Sequence, residues 1–237
     1  MSALLSDAFC LLKRPNFGTG GETARTFVCD DYAVYDSLRG GVEGVYAPYA
    51  KEAIDNRSKY IYVPSLDLPE KEIDKLIDYV LSDSEVKLYV KCSQDLTEAG
   101  KIDSRFGKSP VMLLHEFGLS DRSTVVSGVY LDKDDLSLMA QEGMPLILLP
   151  SFDAGYGNGV APVVAALERG VKIKLGTADG LYNKSRSVIF EAVLLRLAVS
   201  AVMNRRDAVD LYSLAKMCAC DCADEKQIDS IVKLINI

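Results

Sequence analysis

Eight short β-type runs, each followed by a longer stretch of different periodicity, constrain the fold more than any other feature of the chain. The runs cover residues 8–12, 26–29, 42–47, 60–64, 86–92, 124–129, 145–149 and 171–176. Helical patterns lie between them at 68–81, 108–117, 133–142, 160–169 and 187–203. The first of these opens on Pro69 with acidic residues in its first turn, as helix starts do. The last, SVIFEAVLLRLAVSAVM, is apolar on more than one side, the pattern of a helix packed on several faces. Strand–helix alternation predicts a parallel sheet with helices outside it. Eight such units in 237 residues match a (β/α)8 barrel, which typically needs about 250. The α/β alternative is an open doubly wound sheet. Its glycine-rich turn directly after the first strand is missing, because FGTGGET at 17–23 is fed by no strand. The chain, 1–237, reads as a single barrel domain.

Composition narrows the function classes. The net charge of -7, from 27 basic and 34 acidic side chains, argues against a nucleic-acid partner, which would favour a basic face. No run of about 18 apolar residues predicts a membrane span. No leader pattern is read at the N-terminus, so the expected location is cytoplasmic. The six cysteines fit free thiols in a reducing compartment. Cys218, Cys220 and Cys222 are spaced one residue apart, not the two to four of zinc fingers, and read as a thiol-rich helix end rather than a metal site. A single histidine, His115, excludes any site that needs two imidazole ligands. It reads as a surface or helix-end residue.

Three contiguous stretches carry a family resemblance. RFGKSPVMLLHEFGL (105–119), STVVSGVYLDKDDLSLMAQEGMPLILLPS (123–151) and GNGVAPVVAALERGVKIKLGTADG (157–180) resemble, in order, strands five to eight of the amidohydrolase superfamily. The branch is that of cytosine deaminases, chlorohydrolases and imidazolonepropionases. The resemblance implies a barrel with one or two metal ions at the C-terminal ends of its strands, where the metal lowers the pKa of a bound water. It implies ligands as His-x-His on strand one, His on strands five and six, and Asp on strand eight. Residues two apart on a strand face the same side, which is why the first pair alternates. The family's additional small β-sandwich has no room in a chain of this length.

Set on that pattern, this sequence places Phe9 and Leu11 at the strand-one pair and Tyr89 at the strand-five ligand. Cys92 falls at the family's proton-handling glutamate. Ser127 stands at the strand-six ligand and Ala178 at the strand-eight aspartate, with Asp179 one residue on. The expected reading is a barrel with the metal ligands replaced and no cofactor. It would be a non-catalytic small-ligand binder or a partner subunit, as a homo-oligomer or beside a paralogous subunit. An alternative is a divergent hydrolase of C–N bonds in cyclic amidines or amides, working without metal or with a reduced zinc or iron site. A structural role in an oligomer is the third. The expected ligand-binding residues at the barrel mouth are Lys91, Asp153, Tyr156 and Asp179. Asp179, Lys91 and Cys92 are the catalytic candidates. Asp153 and Tyr156 are assigned to a loop after strand seven.

Overall fold

The computed structural model describes residues 5–12, 23–29, 45–47 and 50–236. The glycine-rich stretch at 17–22 lies outside them. Eight strands follow one another: β1 (Leu5–Leu12), β2 (Thr23–Cys29), β3 (Val45–Ala47), β4 (Tyr60–Val63), β5 (Lys87–Cys92), β6 (Ser123–Ser127), β7 (Leu146–Leu148) and β8 (Ile173–Leu175). Every pairing is parallel, in two arcs ordered β1-β2-β3 and β4-β5-β6-β7-β8. β3 packs beside β4 and β1 beside β8, so the arcs form a barrel. The helices are α1 (Ala50–Asp55), α2 (Glu70–Ser82), α3 (Leu96–Phe106), α4 (Pro110–Glu116), α5 (Lys133–Glu142), α6 (Pro150–Gly155), α7 (Val163–Glu168), α8 (Val188–Val202), α9 (Leu211–Cys218) and α10 (Glu225–Ile235).

Local chemistry explains these boundaries. Asp132 caps α5 by accepting from the amides of Asp134 and Asp135, and Gly143 ends it with a φ of 70°. α3 is built the same way. Asp95 accepts from the Glu98 amide, and Gly107 closes the helix in the left-handed region. α2 buries Ile73, Leu76 and Val80, three to four residues apart on one stripe.

Strand alternation divides the apolar side chains into two cores. Between sheet and helices lie Leu88, Val90, Cys92, Val125, Leu146 and Leu175, packed with residues such as Leu76, Ile102 and Leu136. Inside the barrel lie Phe9, Tyr62, Val126, Ile147, Leu149 and Ala178, with Tyr60, Tyr89 and Phe152 against them. Phe9 meets Tyr62 edge-on, with ring centroids 5.4 Å apart at 65°. The lower barrel is therefore filled by aromatic rings.

β1 carries a bulge. Asp7 pairs with Arg25 but Cys10 with Phe27, one extra residue on the β1 side. In a regular strand Asp7 and Phe9 would share a face. Here Phe9 enters the interior cluster, while Asp7 binds Thr177 just beyond β8 and its charge reaches Glu191 on α8. The seam between β8 and β1 is close-set. A Cβ on Gly176 would fall 2.7 Å from both the Cβ and the carbonyl oxygen of Phe9. Gly176→Ala is therefore expected to destabilise the protein by about 2 kcal/mol, in the range of core overpacking. In thermal denaturation that is a fall in Tm of roughly 4–8 °C for a chain of this size. An unchanged Tm would show that the seam can open without cost.

The eight strands lie within three residues of their predicted limits. Five helices, α1, α3, α6, α9 and α10, were not anticipated. Two are single-turn pieces of 6 residues. α6 corrects the loop assigned to PSFDAGYGNG: Pro150 stands in its first turn, where a missing amide costs nothing.

Candidate active site at the barrel mouth

The C-terminal ends of β5, β6 and β7 bring a polar group together above the aromatic interior. Asp153, 4% exposed on α6, is its centre. Ser127 Oγ donates to it, 3.0 Å from each carboxylate oxygen. Gln94 Nε2 and Asn158 Nδ2 donate to its Oδ1, both at 3.0 Å. Burial raises the Asp153 pKa, and these donors and the Lys91 ammonium oppose the rise. Lys91 is the penultimate residue of β5, its Nζ 5.2 Å from the centroid of the Phe152 ring.

The second carboxyl is Glu98, in the first turn of α3. It accepts from Ser65 Oγ at 3.2 Å and from the Ser93 amide at 3.1 Å. Burial pushes its pKa up to about 7, against those hydrogen bonds and the charge of Lys91. Lys91 therefore acts on both carboxyls. On the β8 side, Tyr156 donates its hydroxyl to Asp179 Oδ2 at 3.3 Å, and the Leu181 amide donates to Oδ1 at 2.9 Å. Asp179 and burial hold the Tyr156 pKa above the usual phenol value.

Lys91 and Asp153 thus lie beside Phe152 and α6, and Tyr156 joins that helix to Asp179. Asp153 differs from the sequence reading in being buried on a helix. Phe9 and Ala178 line the interior, and Ala178 donates its amide to the Phe9 carbonyl at 2.9 Å. Tyr89 lies against the same cluster. Ser127, at a φ of 71°, turns out of β6 toward Asp153. Leu11 pairs with Val28, and its side chain lies outside the described residues. Cys92 is corrected as a nucleophile candidate. It faces the outer core, where burial and then the charges of Glu98 and Asp135 push the thiol well above its usual range.

His115 sits on the outer helix α4, 3.6 Å from Glu142, and is remote from this group in the fold. Cys218 is buried and pushed up to about 12, Cys220 donates to the Leu5 carbonyl, and Cys222 is exposed. Glu98, Gln94, Asn158 and Tyr182 were missed from the sequence. The signal for Glu98 was the sequence Asp95-Leu96-Thr97-Glu98, an N-cap followed three residues later by Glu.

Among the described residues, no three His, Cys, Asp or Glu side chains converge as a metal site would require. Phe9 and Ala178 offer no side-chain donor. Among the described residues, the side chains at the barrel mouth offer no set of ligands that fits a zinc ion. Among the described residues, no helix is long and apolar enough to cross a membrane.

No family model matches the chain. It is 32% identical over 109 residues to a 5-methylthioadenosine/S-adenosylhomocysteine deaminase of Thermococcus onnurineus, which is 46% of this chain and 26% of that protein. The enzyme of the same name from Thermococcus kodakarensis is 31% identical over 128 residues, 54% of this chain and 29% of that one. The chain spans less than a third of these curated relatives. In structure it is similar to E. coli guanine deaminase, with a TM-score of 0.76 at 10% identity over 100% of this chain and 69% of that one. An atrazine chlorohydrolase from Arthrobacter aurescens, complexed with zinc, has a TM-score of 0.60 at 14% identity over 91% and 50%. The fold is an amidohydrolase-type barrel. By sequence the chain is similar to these 5-methylthioadenosine/S-adenosylhomocysteine deaminases. These homologues overturn the expectation of a non-catalytic, ligand-binding barrel: their names are those of enzymes, and the divergent C–N hydrolase fits them better.

Proposed function

We propose that the chain acts as a deaminase-type hydrolase of an amino-substituted N-heterocycle, with Glu98 as its proton-transferring group. The observation that carries this reading is the Glu98 carboxyl in the first turn of α3, which accepts from Ser65 and from the Ser93 amide just beyond β5, and whose burial pushes its pKa up to about 7. A group titrating near the working pH both takes and returns a proton efficiently. The relatives' names supply the substrate class, since adenosine derivatives and guanine are amino-bearing nitrogen rings.

In this reading a water oxygen attacks the ring carbon that carries the amine. The Glu98 carboxylate takes a proton from that water, and the new C–O bond forms. Glu98 then returns the proton to the amine as the C–N bond breaks, releasing ammonia and a ring C–OH, which becomes the carbonyl when its proton moves to the ring nitrogen. Negative charge builds on the ring nitrogen during attack, and the fixed positive charge of Lys91 stabilises it there. Asp153, held by Ser127, Gln94 and Asn158, is a fixed acceptor for a ring or amine N–H.

The test is ammonia release from a panel of aminopurines, aminopyrimidines and their nucleosides. Ammonia release from at least one of them is the expected result. A folded protein that releases no ammonia from any of them would overturn the reading.

A further inference from the structure

Among the described residues, Phe9, Tyr62 and Tyr89 belong to the cluster inside the barrel. Beside Lys91 and Phe152, three aromatic rings form a ladder running from α6 toward the segment after β8. Phe152 and Tyr156 have centroids 4.5 Å apart at 40°. Tyr156 and Tyr182 meet edge-on at 5.6 Å and 85°. Tyr156 is 50% exposed and Tyr182 47%, high values for large aromatic side chains.

The exposed rings are nonetheless seated. Tyr182 lies over Gly155 so closely that a Cβ there would fall 2.3 Å from its ring. Tyr156 is backed by Phe152 on one side and pinned at its hydroxyl by Asp179. A ring fixed in place loses little freedom when a ligand stacks on it, which favours binding.

We propose that the open face of Tyr182 is a stacking ledge for the flat heterocyclic ring of the ligand, with Tyr156, set at 85° to it, bounding the ledge. The proposal rests on the reading of this mouth as a site for amino-substituted heterocycles, and it assigns that reading's binding surface. Stacking is carried by the π-face and not by the hydroxyl, so phenylalanine should replace Tyr182. The stack is worth about tenfold or more in affinity, within the range for base–aromatic stacking.

The experiment is calorimetric titration of the full chain with adenosine, with ribose as the non-aromatic control. The variants are Tyr182→Ala and Tyr182→Phe, each checked for folding by circular dichroism. The expected result is adenosine binding weakened about tenfold or more by the Ala change and kept by the Phe change. Ribose should not bind. Where turnover is measured, KM should rise with kcat little altered in Tyr182→Ala. A Tyr182→Ala chain that binds adenosine like the parent would overturn the ledge. So would a Phe variant as weak as Ala, or a parent chain that does not bind adenosine. Binding is read without turnover, so a chain that binds through Tyr182 yet releases no ammonia keeps the ledge and loses the hydrolase.

Discussion

Glu98→Gln is expected to lower ammonia release by about 10²- to 10⁴-fold, the usual contribution of a positioned proton-transfer group. The amide keeps the shape of the carboxyl and can still accept from Ser65 and the Ser93 amide, so the fold should be retained. The loss should fall on kcat, with adenosine affinity little changed, because the binding surface lies across the mouth on α6 and the β8 loop. A pH profile separates this from a structural defect. The ionised carboxylate is the base, so the parent rate should rise with pH and level off above about 7. Full activity in Glu98→Gln would remove Glu98 from the mechanism.

The same carboxyl makes a thermodynamic prediction. Its folded pKa, about 7, lies above the ordinary glutamate value of 4.5. The folded protein therefore holds a proton that the unfolded chain releases. Stability from this group is fully present below 4.5 and is lost as pH rises to about 7. Asp153, Asp135 and Glu191 are shifted upward as well, each mainly by burial, and act in the same direction. Thermal denaturation should show Tm falling between mildly acidic and neutral pH, with a smaller fall in Glu98→Gln. A Tm rising over that interval would contradict the buried placement of Glu98.

The barrel was legible because the strand signal is local. Val86 to Cys92 and Thr124 to Val129 are β-branched or alternating runs bounded by turn residues, and they form β5 and β6 nearly as read. Helices with strong stripes were equally visible. α3 was not, because LTEAGKIDSRF has a glycine in its middle and buries only Ile102. With that helix went Glu98. Strand parity predicted that Lys91 would point into the mouth beside Tyr89. It gave no hint of what Asp153 would meet, since Gln94, Ser127 and Asn158 reach it from three separate elements. Such a group is set by tertiary placement, and spacing along one strand says nothing of it. The bulge in β1 is the other case. It reverses the side to which Asp7 points, and no composition rule marks Ala8 or Phe9 as the extra residue.

That bulge leads to the largest stability effect expected. β8 and β1 belong to separate hydrogen-bonded arcs, so their seam lacks the ladder that joins the other neighbours within each arc. Asp7 spans it. Its carboxylate, 0% exposed, accepts from the Thr177 amide at 3.0 Å and from Thr177 Oγ1 at 2.7 Å. Asp7→Ala would leave both donors, on a residue 1% exposed, facing a cavity. Stranding two buried donors of a charged acceptor costs about 3 kcal/mol. Tm should fall by roughly 6–12 °C. Asp7→Asn keeps one oxygen acceptor and should lose less than half as much. The ordering matters more than either value. If Asn were as damaging as Ala, the charge of Asp7 would be what holds the seam. If both left Tm unchanged, the barrel would be closed by packing at Gly176 and Phe9 alone.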